Sequence, residues 1–110
     1  MNDYRIQFND MPWEQVAPGA AQKVLERDGQ RLRLVRFTDA FVEPDWCTAG
    51  HVGLVLSGTM RVNFNGQVAH YQTGDGLWIP AGEASKHKVE MEAGTAVELV
   101  LFESLSQAPQ

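Results

Sequence analysis

Short alternations of apolar and polar residues, broken by glycine-centred turns, dominate the chain after its first twenty positions. Met60-Arg61-Val62-Asn63-Phe64 alternates strictly, as a strand does when one face is buried and the other wet. Residues 23–26 and 31–37 flank Asp28-Gly29, and residues 67–71 follow Asn65-Gly66; both dipeptides suit the positive φ angles of a tight hairpin. Residues 52–56 and 60–64 flank Ser57-Gly58-Thr59 and read as the most regular hairpin. A strand over 77–79 lies between Thr73-Gly74-Asp75-Gly76 and Pro80-Ala81-Gly82, and strands over 86–91 and 95–103 flank Ala93-Gly94. The last of these is almost continuously apolar at its centre, which predicts burial between two layers. Before position 20, residues 14–17 read as one helical turn after Pro12, and Pro18-Gly19 as a turn; residues 104–110 read as a frayed polar tail. Regularly spaced short strands with glycine-rich turns predict an antiparallel sandwich or barrel.

Composition narrows this without redirecting it. At 110 residues the chain is read as one domain, 1–110. Its 44% hydrophobic and 21% charged content is that of a globular protein. No apolar run nears the ~20 residues of a bilayer span, and MNDYRIQFND lacks the basic start and apolar stretch of a signal peptide, so no membrane partner is expected. Cys47 has no second cysteine to pair with, which points to a reducing cytoplasm. A net charge of −5 argues against nucleic acid as a partner. Five of the nine basic residues, Lys23, Arg27, Arg31, Arg33 and Arg36, are nevertheless clustered, and read as a solvated hairpin face.

The candidate chemistry centres on Cys47 and His51. Pro44, Gly50 and Gly53 argue against a helix there, so period two applies, and Asp45, Cys47 and His51 share a parity. Thiolate, imidazole and carboxylate projecting to one side suit a divalent transition metal. The competing reading makes Cys47 a small buried hydrophobe and His51 a hydrogen-bonded packing residue. A Cys–His nucleophile pair is disfavoured because no orienting third group is evident. Trp46 and Trp78 are candidates for a pocket mouth, Trp13 for a barrel end or subunit seam. His70 reads as a surface residue and Asp75 as a turn cap.

Gly50-His51-Val52-Gly53-Leu54-Val55-Leu56-Ser57-Gly58 and Gly74-Asp75-Gly76-Leu77-Trp78-Ile79-Pro80-Ala81-Gly82 together resemble the two motifs of small single-domain cupins. The resemblance covers roughly residues 30–104 and implies an all-β, double-stranded β-helix (jelly-roll) barrel, with residues 1–37 as an extension and hairpin packing on it. It also implies a homodimer and a small-molecule ligand inside the barrel. The family's histidines and glutamate are replaced: Asp45 and Cys47 stand at the paired histidines, His51 at the glutamate, and Ser85 at the last histidine. His87, two residues on, keeps the strand parity of Ser85. The resemblance thus implies a site of Cys47, His51 and His87 with Asp45 as a fourth ligand, and Trp46, Trp78, Ser85 and Met91 around it. Mixed sulfur and nitrogen donors favour zinc, with iron or copper next. The functions implied are a metal-dependent oxygenase, isomerase or lyase, or a binding or sensing module without turnover.

Overall fold

Asp28-Gly29 and Asn65-Gly66 each close a hairpin in the computed structural model, which describes residues 4–105. Asp28 and Gly29 have φ of 54° and 75°, and Asn65 and Gly66 of 53° and 107°, the paired positive values that a two-residue turn requires. Eight strands result: β1 (Glu14–Ala17), β2 (Ala20–Arg27), β3 (Gln30–Thr38), β4 (His51–Phe64), β5 (Gln67–Gln72), β6 (Gly76–Ile79), β7 (Lys88–Glu90) and β8 (Ala96–Ser104). Among the described residues the helical pieces are two short 3-10 turns, Phe8–Asp10 and Glu83–Ser85. No helix there is long and apolar enough to cross a membrane.

All pairings are antiparallel. One layer runs β1-β2-β3-β8-β4-β6; the other runs β5-β4-β7. β4 belongs to both. Its first part pairs with β6 and β8, and its last six residues pair with β5. Val35, Val55, Met60, Val62, Leu77, Ile79, Val97, Leu99 and Leu101 form the buried core between the layers. This is the antiparallel barrel that the turns predict, in the jelly-roll form that the cupin resemblance implies.

Four expectations need correction. The segment 52–64 is no hairpin but part of one 14-residue strand, because both halves find backbone partners on neighbouring strands. Gly58, at φ 84°, sits beside a register shift between Val55 and Ser57, so the glycine marks a bulge where the strand passes between layers. Residues 14–17 form β1 rather than a helical turn, since pairing with β2 satisfies their backbone and an isolated turn would not persist. β8 is not buried on both faces: Val97, Leu99, Leu101 and Glu103 are buried while Phe102 is 46% exposed. The basic cluster is not a solvated face either. Lys23 is buried and donates to the Phe8 carbonyl at 2.7 Å, and Trp13 packs against both the Lys23 ammonium and the Arg36 guanidinium. The tail beyond residue 105 lies outside the described residues, and Ser104 closes β8.

Candidate metal centre

Three short backbone connections deliver the donors to one end of the barrel. Residues before β4 run along the free edge of the smaller layer, where Val42 bridges Glu90 and Cys47 bridges His87. The Cys47–His87 bridge is closed by two hydrogen bonds, Cys47 N–H to the His87 carbonyl at 2.8 Å and the reverse at 3.0 Å. This places both side chains on one face at a shared height. His51 opens β4 opposite Ile79 and comes from the larger layer. Cys47 Sγ lies 3.8 Å from His51 Nε2, and one ligand atom from each of Cys47, His51 and His87 falls within 4.8 Å of the others. The two imidazoles meet edge to face, their centroids 5.2 Å apart.

Each histidine is held from behind. The Ser85 carbonyl can only accept, so His87 Nδ1 carries a proton and donates to it at 3.0 Å, leaving Nε2 for the site. His51 Nδ1 donates to Glu103 Oε2 at 3.1 Å. Glu103 is only 4% exposed, and its carboxylate is gripped by Arg31 Nε, Arg33 Nε and the Arg33 terminal nitrogen, each at 2.8 Å. A carboxylate behind an imidazole fixes the tautomer and raises its strength as a ligand. Glu103 therefore orients His51, while the two arginines keep the buried charge compensated.

The protonation states follow from these contacts. Hydrogen bonds from His51 and then His87 lower the Cys47 thiol to about 6, against the opposing effect of burial. Burial disfavours a charged His51, but its hydrogen bonds to Cys47 and Glu103 outweigh this and raise it to about 9. His87 is likewise raised by Cys47 and the Ser85 carbonyl, against burial. Burial opposes ionisation of Glu103 too, yet His51 and Arg33 hold its pKa down at about 2. Without an ion, Cys47 and His51 thus form a thiolate–imidazolium pair. A soft or borderline cation would take the place of the protons that the thiolate and two imidazoles share.

The donor set suits such a cation. One thiolate and two imidazoles match zinc, and the carbonyl and carboxylate behind the histidines are the outer partners a metal-binding imidazole requires. Tetrahedral coordination at ~2.0–2.3 Å needs donors roughly 3.5 Å apart, so the triangle must close by about 1 Å at its widest.

Not every expected residue joins the site. Asp45 is exposed and stands outside the group, because the chain bends at that position and breaks the parity that linked it to Cys47. Trp78 is 80% exposed on the outer face of β6, since Leu77 and Ile79 take the two inward positions. Trp46 packs against the ammonium groups of Lys86 and Lys88 at 5.5 and 4.8 Å. Ser85 contributes its carbonyl, and His87 rather than Ser85 provides the side chain that reaches Cys47. Met91 is half-buried against the core. His70 is exposed and Asp75 caps its turn by accepting from the Gln72 N–H at 2.9 Å, both as expected. Two carboxylates near the donors carry little signal in the sequence. Glu103 is signalled only by its inward parity with Val97, Leu99 and Leu101, and Glu43 by nothing local.

His51 and His87 open on a cavity of about 70 Å³, lined mainly by core side chains including Met60, Val62, Ile79 and Leu101, with Glu43 and the two histidines as its polar wall. Solved structures with the same architecture include the polyketide cyclase RemF from Streptomyces resistomycificus, at 19% identity and a TM-score of 0.80 over 98% of this chain and 83% of that one. An RmlC-like cupin from Shewanella frigidimarina superposes with a TM-score of 0.74 at 17% identity, covering 96% and 94% of the two chains. KdgF from Halomonas sp. does so at 0.71 and 20%, covering 94% of each. These likenesses are of fold. No curated protein gives a significant sequence match. The AraC-like ligand-binding domain family matches residues 29–103, which is most of the chain. The chain thus belongs to the AraC-like ligand-binding domain family and shares the fold of the RmlC-like cupin.

Proposed function

We propose that this protein binds a small organic molecule at a zinc ion held by Cys47, His51 and His87. The observation that carries the reading is the clustering of those three donors, two of which, His51 and His87, also line a cavity inside a ligand-binding barrel. Three protein ligands leave a fourth position, the arrangement of a site that exchanges ligands rather than one that only ties a fold together. When bound, the ion supplies Lewis acidity. The chain's own part is to orient His51 through Glu103 and His87 through the Ser85 carbonyl, and to wall the site with apolar side chains. With zinc such a site would support isomerase or lyase chemistry, oxygenase chemistry would require iron or copper in its place, and the site equally serves a sensor that binds without turnover.

The test is elemental analysis and zinc affinity of wild type beside Cys47→Ser. Wild type is expected to hold one ion per chain, and the serine variant to bind at least ten times more weakly, because a hydroxyl is a far poorer ligand than thiolate. Equal affinity in both proteins defeats the reading.

A second copy of the chain is the proposed partner. The outer face of the larger layer carries Trp78, Phe102 and Leu54, exposed by 80%, 46% and 42%, with Trp78 and Phe102 paired to opposite sides of Val52. An apolar patch built around two aromatic residues suits a self-complementary dimer seam. Sedimentation should give a dimer that Trp78→Ser dissociates; a monomeric wild type overturns this assignment.

A further inference from the structure

The cavity has a further polar group besides the histidines. Apart from the two histidines, Glu43 is the one ionisable side chain in its lining; everything else there is hydrocarbon, aromatic or thioether. The loop carrying Glu43 is held on both sides of it, by the Val42–Glu90 and Cys47–His87 bridges. One carboxylate oxygen accepts the Val89 N–H at 2.8 Å, which fixes the head group. The other oxygen has no protein partner among the described residues, and it is not a sealed, unsatisfied atom. Glu43 also lies outside the compact Cys47–His51–His87 group, so it is a separate polar group of the cavity wall rather than one of the clustered donors.

A carboxylate accepts hydrogen bonds and repels anions. A divalent ion held by a single thiolate and two neutral imidazoles keeps a net positive charge and attracts an anionic oxygen. The two polar groups of the cavity therefore select opposite chemistry. Its volume of about 70 Å³, against roughly 30 Å³ for one water in the liquid, is about two waters' worth of space and admits only a very small ligand. We propose that Glu43 is the specificity group of this site, receiving the hydroxyl or ammonium end of a very small hydroxy acid or amino acid whose carboxylate end reaches the metal donors. This rests on the metal reading above and adds the class of ligand.

The experiment uses protein loaded with cobalt(II) in place of zinc, titrated with glycolate, glycine and propionate while the cobalt absorption is followed. These probes have five non-hydrogen atoms each and differ at one end only: hydroxyl, ammonium or methyl. Wild type should bind glycolate and glycine about tenfold or more tighter than propionate, the range of a charge-assisted hydrogen bond. Any preference that came instead from chelation by the hydroxyl or a deprotonated amine would survive in Glu43→Gln, so the variant isolates the share due to Glu43. The variant keeps an oxygen for the Val89 N–H but can turn a donor toward the ligand, so the preference should fall by about tenfold, with propionate affinity nearly unchanged. Glu43→Asp, which withdraws the carboxylate by one methylene, should shift the preference in the same direction and serves if the glutamine variant does not fold. An unchanged preference in a folded variant that shows the thiolate-to-cobalt absorption overturns this proposal alone. Absence of that absorption in wild type overturns the metal reading and this proposal with it.

Discussion

Replacing Glu103 by glutamine should weaken the fold and the metal site together. Four hydrogen bonds converge on this carboxylate, from Arg31 Nε, two Arg33 nitrogens and His51 Nδ1. A glutamine oxygen can keep one oxygen's contacts, but its amide nitrogen donates and must face Arg33 together with either Arg31 or His51. The lost negative charge also leaves two guanidinium groups uncompensated. Breaking a buried ion pair from one side costs ~3–5 kcal/mol. The arginine side chains here remain 27% and 20% exposed, so water recovers part of that. We expect a loss of about 2–3 kcal/mol, a fall in melting temperature of about 10 °C or more for a domain of this size. Zinc affinity should drop about tenfold or more as His51 loses its orienting acceptor. Glu98→Gln is the internal control: its pair with Arg36 is 3.4 Å long and exposed, worth under about 1 kcal/mol. Glu103 ionises near 2 instead of 4.5, so its stabilisation is complete above the unfolded value and is lost as pH falls from about 4.5 toward 2. The difference between wild type and variant should shrink over that interval. Thermal melts and metal titrations decide it: equal melting temperatures for Glu103→Gln and Glu98→Gln, or unaltered zinc affinity in a folded Glu103→Gln, refute the reasoning.

Two further outcomes are expected. In the metal-free protein the rate of Cys47 alkylation should rise with pH around a midpoint near 6 rather than the ordinary 9, because His51 and His87 stabilise the thiolate, and zinc should suppress it across that range; a midpoint near 9 contradicts the thiolate–imidazolium pair. Gly58→Ala should destabilise by roughly 3 kcal/mol or more, since a Cβ there would sit 2.0 Å from the Ala96 carbonyl oxygen, whereas Gly66→Ala, with nothing within 4 Å, should cost only about 1–2 kcal/mol of backbone strain. Chemical denaturation of the two variants separates steric from conformational cost.

The sequence exposes the fold through its turns, because Asp28-Gly29 and Asn65-Gly66 need positive φ whatever they pack against. It exposes Cys47, His51 and His87 because few residue types can hold a transition metal. It misleads at Gly58, where a bulge and a turn ask for the same residue and only the partners of β4 distinguish them. Asp45 fails for a related reason: parity holds along a strand, and the segment around Pro44 is bent. Glu103 and the arginines beside it are far apart in sequence, with 70 positions between Arg33 and its acceptor. Their charges balance only across the β3–β8 pairing, so each looks like an ordinary surface residue until the strands meet.

β8 lies between β3 and β4 in the larger layer, yet it is made last of the eight strands. A growing chain therefore cannot zip this sheet outward from a finished centre. Until residues 96–104 leave the ribosome, β3 and β4 each present an open edge, and the inward side chains of the core have no lid over them. During that interval the nascent protein is exposed to mispairing with its neighbours and to capture by chaperones. Insertion of one strand then closes both edges in a single late event and brings Glu103 to His51 in the same motion. A ribosome-stalled chain ending before residue 96 should remain protease-sensitive along β3 and β4, and gain protection abruptly once β8 has emerged.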